Sequence, residues 1–112
     1  MYLMNSAEFL VVWMALVAIG CAPAFINYNL ESKALMHCLG IADTRLIICD
    51  DDPECRARIE KGRKEIEEKG TKIVYLDDKL KHELSSRDAI VPGDEYREGQ
   101  KGDFPWCLVY TR

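Results

Sequence analysis

The amino-acid sequence predicts a layered α/β fold, with a mostly parallel sheet flanked by helices. Three observations predict it. Apolar runs of strand length alternate with segments of helix length, in the order helix-strand-helix-strand-helix-strand-helix-loop-strand. One run, Arg45-Leu46-Ile47-Ile48-Cys49, is nearly uninterrupted, as in a strand covered on both sides. Charge is also segregated: residues 1–49 hold only Glu8, Glu31, Lys33, Asp43 and Arg45, and residues 50–112 hold the other 29 of 34 charged side chains. The first half therefore reads as buried material and the second as surface. At 112 residues, 48% hydrophobic and 30% charged, the chain suits one globular domain, residues 1–112, and no more.

The first element is a helix from about Ser6 to Ile19. Asn5-Ser6-Ala7-Glu8 resembles a capping box, with Asn5 as cap and Glu8 reaching back to its amide. Gly20 suits the left-handed stop position, and Pro23 cannot continue the helix. Phe9 to Ile26 is an uncharged stretch of 18 residues, long enough to raise the question of a membrane span. Its punctuation favours a buried core helix over a membrane segment. The helix would be about 21 Å long at 1.5 Å per residue, short of a hydrocarbon slab of about 30 Å. No basic n-region precedes the apolar run, and Glu8 stands before it, so no secretory signal is expected.

Ala24-Phe25-Ile26-Asn27 is the first strand, and Ser32 to about Ile41 the second helix, with Ala34, Leu35, Cys38 and Leu39 on one face. Arg45 to Cys49 is the second strand. Asp52 caps the third helix, with Pro53 at its first position and Gly70 as its stop. That helix carries a thin apolar stripe of Cys55, Ile59, Gly62 and Ile66. Glu60 with Lys64 and Glu65 with Lys69 pair at i,i+4 on its wet side. Lys72 to Leu76 is the third strand, followed by a short helix from about Asp78 to Leu84 capped by Asp77. Residues 85–103 form a polar loop, with turns at Pro92-Gly93 and between Gly99 and Gly102. Pro105 to Tyr110 reads as a last buried strand.

In open parallel sheets, ligands bind beyond the carboxyl ends of the strands, so chemistry is sought there. Asn27-Tyr28-Asn29 follows the first strand, and its amides suit a turn better than a ligand. Asp50-Asp51-Asp52 follows the second strand. It could hold a hard cation, but helix capping and solvent explain the carboxylates, as they do Asp77-Asp78. His37 reads as a packing histidine and His82 as a solvated one. No glycine-rich phosphate loop, GxSxG or HExxH occurs, so no catalytic residue and no metal ligand is assigned. The cysteines Cys21, Cys38, Cys49, Cys55 and Cys107 have no zinc spacing and read as reduced core thiols. The net charge of −4, with basic and acidic residues interleaved from Arg56 to Lys64, argues against a nucleic-acid partner.

Several stretches are similar to the fungal and animal family of fatty acid transport proteins, also called very-long-chain acyl-CoA synthetases, of the AMP-forming, adenylate-forming superfamily. They are Met4-Asn5-Ser6-Ala7-Glu8-Phe9, where the family usually reads M-N-S-P-E-F, Ile19 to Ala24, Ile26-Asn27-Tyr28-Asn29-Leu30, Leu35 to Leu39, and Leu46 to Asp50. Pro92-Gly93-Asp94 and Gly102-Asp103-Phe104-Pro105 match the family's approach to the nucleotide site. The likeness covers essentially the whole chain. At the end the family reads Y-T-S-G-T-T-G, a loop that holds ATP phosphates. Tyr110 and Thr111 match it, and Arg112 stands where the serine belongs.

The resemblance implies a partial AMP-binding domain in a family that joins a long-chain fatty acid to coenzyme A, using ATP and magnesium. Tyr110 and Thr111 are the implied remnant of its cofactor site. The rest of the phosphate loop, the acyl-binding segments and the small domain with the catalytic lysine have no counterpart in these 112 residues. The expectation is a truncated synthetase that is inactive alone and takes no cofactor by itself. Reading the nucleotides beyond Arg112 distinguishes a larger gene from a true truncation. The alternative is a non-catalytic module that self-associates or docks on a partner through an exposed sheet edge. Peripheral membrane association also stays open: the family is associated with endoplasmic reticulum, peroxisomal or plasma membranes, and this chain shows no address for any of them.

Overall fold

A computed structural model describes residues 1–110. The element order is α1 (Ala7–Ala18), β1 (Ala24–Phe25), α2 (Ser32–Ile41), β2 (Leu46–Asp50), α3 (Pro53–Glu68), β3 (Lys72–Leu76), α4 (Asp78–Ser86) and β4 (Leu108–Val109), with a 3-10 turn at Asp94–Arg97. This is the expected alternation, and the 3-10 turn is an addition to the polar loop. All strand pairs are parallel. β2 pairs with β3 from Leu46↔Lys72 to Asp50↔Leu76, and β1 pairs with β4 through Ala24↔Leu108 and Phe25↔Val109.

Residues 1–3, which the sequence reading passed over, join the two ribbons. Tyr2 pairs with Cys49 in parallel, its N–H donating to the Ile48 carbonyl at 2.8 Å and its carbonyl accepting from Asp50 N at 2.9 Å. On the other side Ile26 N donates to the Met1 carbonyl at 3.0 Å, and the Met1 ammonium donates to the Ala24 carbonyl at 2.6 Å. The spatial order is thus β3, β2, residues 1–3, β1, β4. Met1, Tyr2 and Leu3 are all buried.

Alternation of side chains across this sheet divides the core into two layers. On one face Tyr2, Ile26, Ile47 and Cys49 meet Leu35, Met36, Cys38 and Leu39 of α2, and Cys55, Ile59 and Ile66 of α3. On the other, Met1, Leu3 and Leu76 meet Phe9, Val12, Trp13 and Leu16 of α1, with Leu80 of α4. The expected stripe on α3 is the observed one: Cys55, Ile59 and Ile66 are buried and Gly62 is half-buried. On α2 the buried face is turned by one position, so that Met36 is buried and Ala34 exposed.

The helix boundaries follow local chemistry. Ser6, not Asn5, caps α1, its hydroxyl accepting from Phe9 N at 3.2 Å. Gly20 ends it with φ +81°, as expected. Asp52 accepts from Glu54 N and Cys55 N to start α3 ahead of Pro53, and Asp77 accepts from Leu80 N to start α4. Glu65 pairs with Lys69 as expected, at 3.7 Å. Glu60 does not pair with Lys64. Arg63 reaches it with two nitrogens, the bidentate grip a single ammonium lacks, and Lys64 turns to Glu68 at 3.9 Å.

Two expectations about burial are corrected. α1 is not a buried core helix: none of its residues is fully buried, and Leu10, Val11 and Met14 face outward. Its apolar circumference meets the sheet on one side only, through Phe9, Val12, Trp13 and Leu16. The last strand is two residues long and exposed, with Leu108 at 43% and Val109 at 65% exposure, because among the described residues β4 has no neighbour on its outer edge. No helix among the described residues is long and apolar enough to cross a membrane.

Candidate functional site

The carboxyl ends of the parallel strands lie at two places. Tyr110 leaves β4 beside the end of β1, where Asn27-Tyr28-Asn29 turn toward α2. Its half-buried ring packs against the core under α2, and its hydroxyl donates to the Cys38 carbonyl at 2.7 Å. Burial, and then the nearby Cys38 thiol, raise the Tyr110 pKa, so the phenol stays protonated and a donor at neutral pH. Thr111, the other residue assigned to the site, lies outside the described residues.

The turn after β1 is held from both sides. Asn27 accepts from Asn29 N at 2.9 Å through its side-chain oxygen, and its main-chain carbonyl accepts from Leu30 N. Tyr2 donates to the Leu30 carbonyl at 2.7 Å, and Arg58 donates to the Tyr28 carbonyl at 3.0 Å. The Asn27 carboxamide oxygen therefore shapes a local turn, as its residue type suggests.

The second place is the acidic end of β2 and β3. Asp50 accepts from Met4 N and from Asp52 N, both at 3.0 Å. Asp51 pairs with Arg56, whose guanidinium lies 3.9 Å from the centre of the Tyr75 ring. Asp52 and Asp77 are committed to helix caps. Among the described residues no group of three or more Asp, Glu, His or Cys side chains converges as a metal site would. The nearby Glu60 carboxyl is held down at about 2 by Arg63 and Tyr75, which keeps it an acceptor throughout the physiological range. These groups build structure at the strand ends.

The remaining candidates separate in the same way. His37 is exposed on α2, where a packing role was expected. The buried face of that helix runs through Leu35, Met36, Cys38 and Leu39 and leaves position 37 outside. His82 is exposed, as expected. Cys38, Cys49 and Cys55 are buried thiols, Cys107 is half-buried, and Cys21 is exposed rather than in the core. Burial, reinforced by Cys55 and Asp50, pushes the Cys49 thiol up to about 12, and Cys55 is raised mainly by burial and Asp52. Neither is a nucleophile at neutral pH.

The model of a family described as AMP-binding enzyme matches residues 1–111. A very long-chain fatty acid transport protein of Cochliobolus heterostrophus is 39% identical over 107 residues, which is 96% of this chain and 16% of that protein. The very long-chain fatty acid transport protein of Saccharomyces cerevisiae is 34% identical over 114 residues, 96% of this chain and 17% of that protein. Isopenicillin N epimerase component 1 of Hapsidospora chrysogena is 52% identical over 58 residues, 52% of this chain and 10% of that protein. The chain thus spans less than a fifth of the length of these relatives. No solved structure gives a significant match.

Proposed function

Because the chain belongs to the AMP-binding enzyme family, we propose that residues 1–112 are part of the N-terminal domain of a fatty acid–CoA ligase, leading up to its nucleotide site. The observation that carries this reading is the match along 96% of the chain to very long-chain fatty acid transport proteins. It is joined by the position of Tyr110, at the carboxyl end of a parallel strand where such sheets bind ligands. The substrates in this reading are a long-chain fatty acid, ATP and coenzyme A, with magnesium as the counter-ion of the phosphates. The docking-module alternative draws no support from these relatives.

In this reading Tyr110 is a positioning residue. Its hydroxyl is committed to the Cys38 carbonyl, so it offers no donor to a phosphate. It fixes the direction in which the chain leaves β4 toward Thr111, which supplies the first phosphate-contacting hydroxyl. ATP held at this loop would supply the adenylyl group taken up by the fatty acid carboxylate, with pyrophosphate as the leaving group. Among the described residues Asp50 is held by two main-chain N–H groups, Asp51 by Arg56, and Asp52 and Asp77 by helix caps, and no three carboxylates converge as a magnesium site would. The 112 residues therefore contribute scaffold and approach to the site and do not carry the reaction alone.

The test is ATP–pyrophosphate exchange by the purified chain with long and very long fatty acids, together with ATP calorimetry. The expected result is exchange at the blank rate and no tight ATP binding. Exchange above blank, or tight binding of ATP, overturns the reading. Translation of the nucleotides following the Arg112 codon provides the companion test, with S-G-T-T-G followed by (L/I)-P-K expected there if a larger gene is present.

A further inference from the structure

Residues 87–107 carry the chain from α4 to β4, and none of them belongs to either core layer. Most of their hydrogen bonds are local turns: Tyr96 N donates to the Gly93 carbonyl, Glu98 N to Glu95, Gln100 N to Arg97 and Phe104 N to Lys101. Arg97 pairs with Asp94, again within the stretch. Among the described residues two hydrogen bonds tie these residues to the rest of the molecule, and both involve α1 or the glycine that stops it. Gln100 Nε2 donates to the Gly20 carbonyl at 2.8 Å, and the Trp13 indole N–H donates to the Trp106 carbonyl at 3.0 Å. A third contact is steric, since the Tyr96 carbonyl lies so close to Gly20 that no Cβ fits between them. The first bond to the sheet comes only afterwards, from Leu108 N to the Pro23 carbonyl at 2.9 Å.

Trp13 stands where these elements meet. Its ring packs edge-on against Phe25 of β1, with centroids 4.9 Å apart and planes at 90°. Phe25 in turn pairs with Val109 of β4. One side chain therefore touches both the strand that receives β4 and the carbonyl just ahead of β4. The sheet alone gives β4 little hold, because it contributes two residue pairs and its side chains are exposed. Tyr110 fastens the far end of β4 to Cys38, and the contacts to α1 fasten the near end.

We propose that α1 and residues 96–106 form a latch in which the seat of α1 on the sheet sets the position of β4, with Trp13 and Gln100 as its positioning residues. This gives α1 a role its burial does not explain, since none of its residues is fully buried. The latch stands on the contacts themselves. Its consequence for the reaction rests on the ligase reading: displacing α1 withdraws Tyr110, and with it the start of the phosphate loop, from the end of β1.

The test is amide hydrogen exchange on the full 112-residue chain and its variants, which reads local opening amide by amide. Trp13→Phe keeps an aromatic ring against Phe25 and removes the indole N–H. Gln100→Glu keeps the size and turns the donor into an acceptor facing the Gly20 carbonyl. Each is expected to speed exchange at the Leu108 amide about fivefold, the effect of losing one ordinary hydrogen bond. The Lys72 and Ile26 amides, bonded to Arg45 and Met1, report the rest of the sheet and are expected to stay unchanged. Gln100→Lys restores a donor and is expected to bring the Leu108 rate back toward that of the unsubstituted chain. Acceleration equal to that of Gln100→Glu overturns the donor role of Gln100. Unchanged Leu108 exchange in Trp13→Phe or Gln100→Glu overturns the latch. Equal acceleration at Leu108, Lys72 and Ile26 also overturns it, because that pattern marks general destabilisation. So does a Leu108 amide left unprotected in the unsubstituted chain, folded or not. ATP takes no part in these measurements, so loss of the latch leaves the ligase reading standing, and pyrophosphate exchange judges that reading separately.

Discussion

Tyr110 donates its phenolic hydrogen to the Cys38 carbonyl, 2.7 Å away, so that the end of β4 is fastened to α2 rather than to a strand. The same carbonyl also accepts from Ala42 N at 3.2 Å, so it serves helix and tyrosine together.

Replacing that phenol tests the fastening. Tyr110→Phe keeps the ring and removes the hydroxyl, and Cys38 retains Ala42 as partner. The expected loss is about 0.5–1 kcal/mol, at the low end for a hydrogen bond, because no buried acceptor is orphaned. A urea midpoint at the wild-type value would show that the fastening contributes nothing.

Acidity acts through Met1. Its amino group has a folded pKa near 6, below its ordinary 8.0, because burial disfavours the ammonium. The unfolded chain therefore binds more protons between these values, and stability is full above pH 8 and falls as pH drops through 6. The two-unit depression corresponds to roughly 2–3 kcal/mol. Nα-acetylation abolishes this part of the pH dependence. Equilibrium unfolding of both forms between pH 8.5 and pH 5.5 (roughly one half-unit beyond each end of the titration window) makes the comparison.

Two glycines with the same backbone angle are predicted to respond differently. Gly20 and Gly70 both have φ +81°. A Cβ at Gly20 would run into the main-chain carbonyl of Tyr96, whereas one at Gly70 meets nothing within 4 Å. Gly70→Ala is expected to cost about 1 kcal/mol, from left-handed strain alone. Gly20→Ala should cost about 2 kcal/mol or more and loosen the loop that carries Tyr96 and Gln100. Equal thermal midpoints for the two variants would remove the steric distinction.

Core and outer face should differ just as sharply. Ile59 on α3 is fully buried between the sheet and α2, and Ile59→Ala is expected to cost about 2–5 kcal/mol. Val11 on α1 is 68% exposed, and Val11→Ala is expected to stay within about 0.5 kcal/mol. Chemical denaturation of both variants checks the pair.

The parts of this fold legible in the sequence are those with local chemistry. Asp52-Pro53 and Gly70 bracket α3, Asp77 starts α4, and Gly20 stops α1, because caps and turns are decided by a few adjacent residues. The strand over residues 1–3 was not legible, since three residues are too few to show a period. Burial of α1 was overestimated from its composition. An apolar side chain is necessary for burial, but only the neighbours decide which side of a wholly apolar helix is covered. His37 was misjudged for a related reason: a rotation of one position around α2 exchanges Ala34 for Met36 in the core and leaves the imidazole outside. At the site, the sequence reached Tyr110 only through family resemblance. Nothing local announces that its hydroxyl will meet Cys38, far away along the chain.

The pairing of β1 with β4 has a consequence for the order of assembly. Leu46 meets Lys72 across a single helix, but Ala24 meets Leu108 only after three-quarters of the chain has been traversed. Closing the longer span costs about 1 kcal/mol more loop entropy, for a ribbon of two residue pairs rather than five. β2, α3 and β3 therefore make the early nucleus, and β4 arrives last and departs first. Limited proteolysis would nick the Ile90–Trp106 approach while that nucleus is still intact, so Tyr110 directly follows the least persistent strand among the described residues.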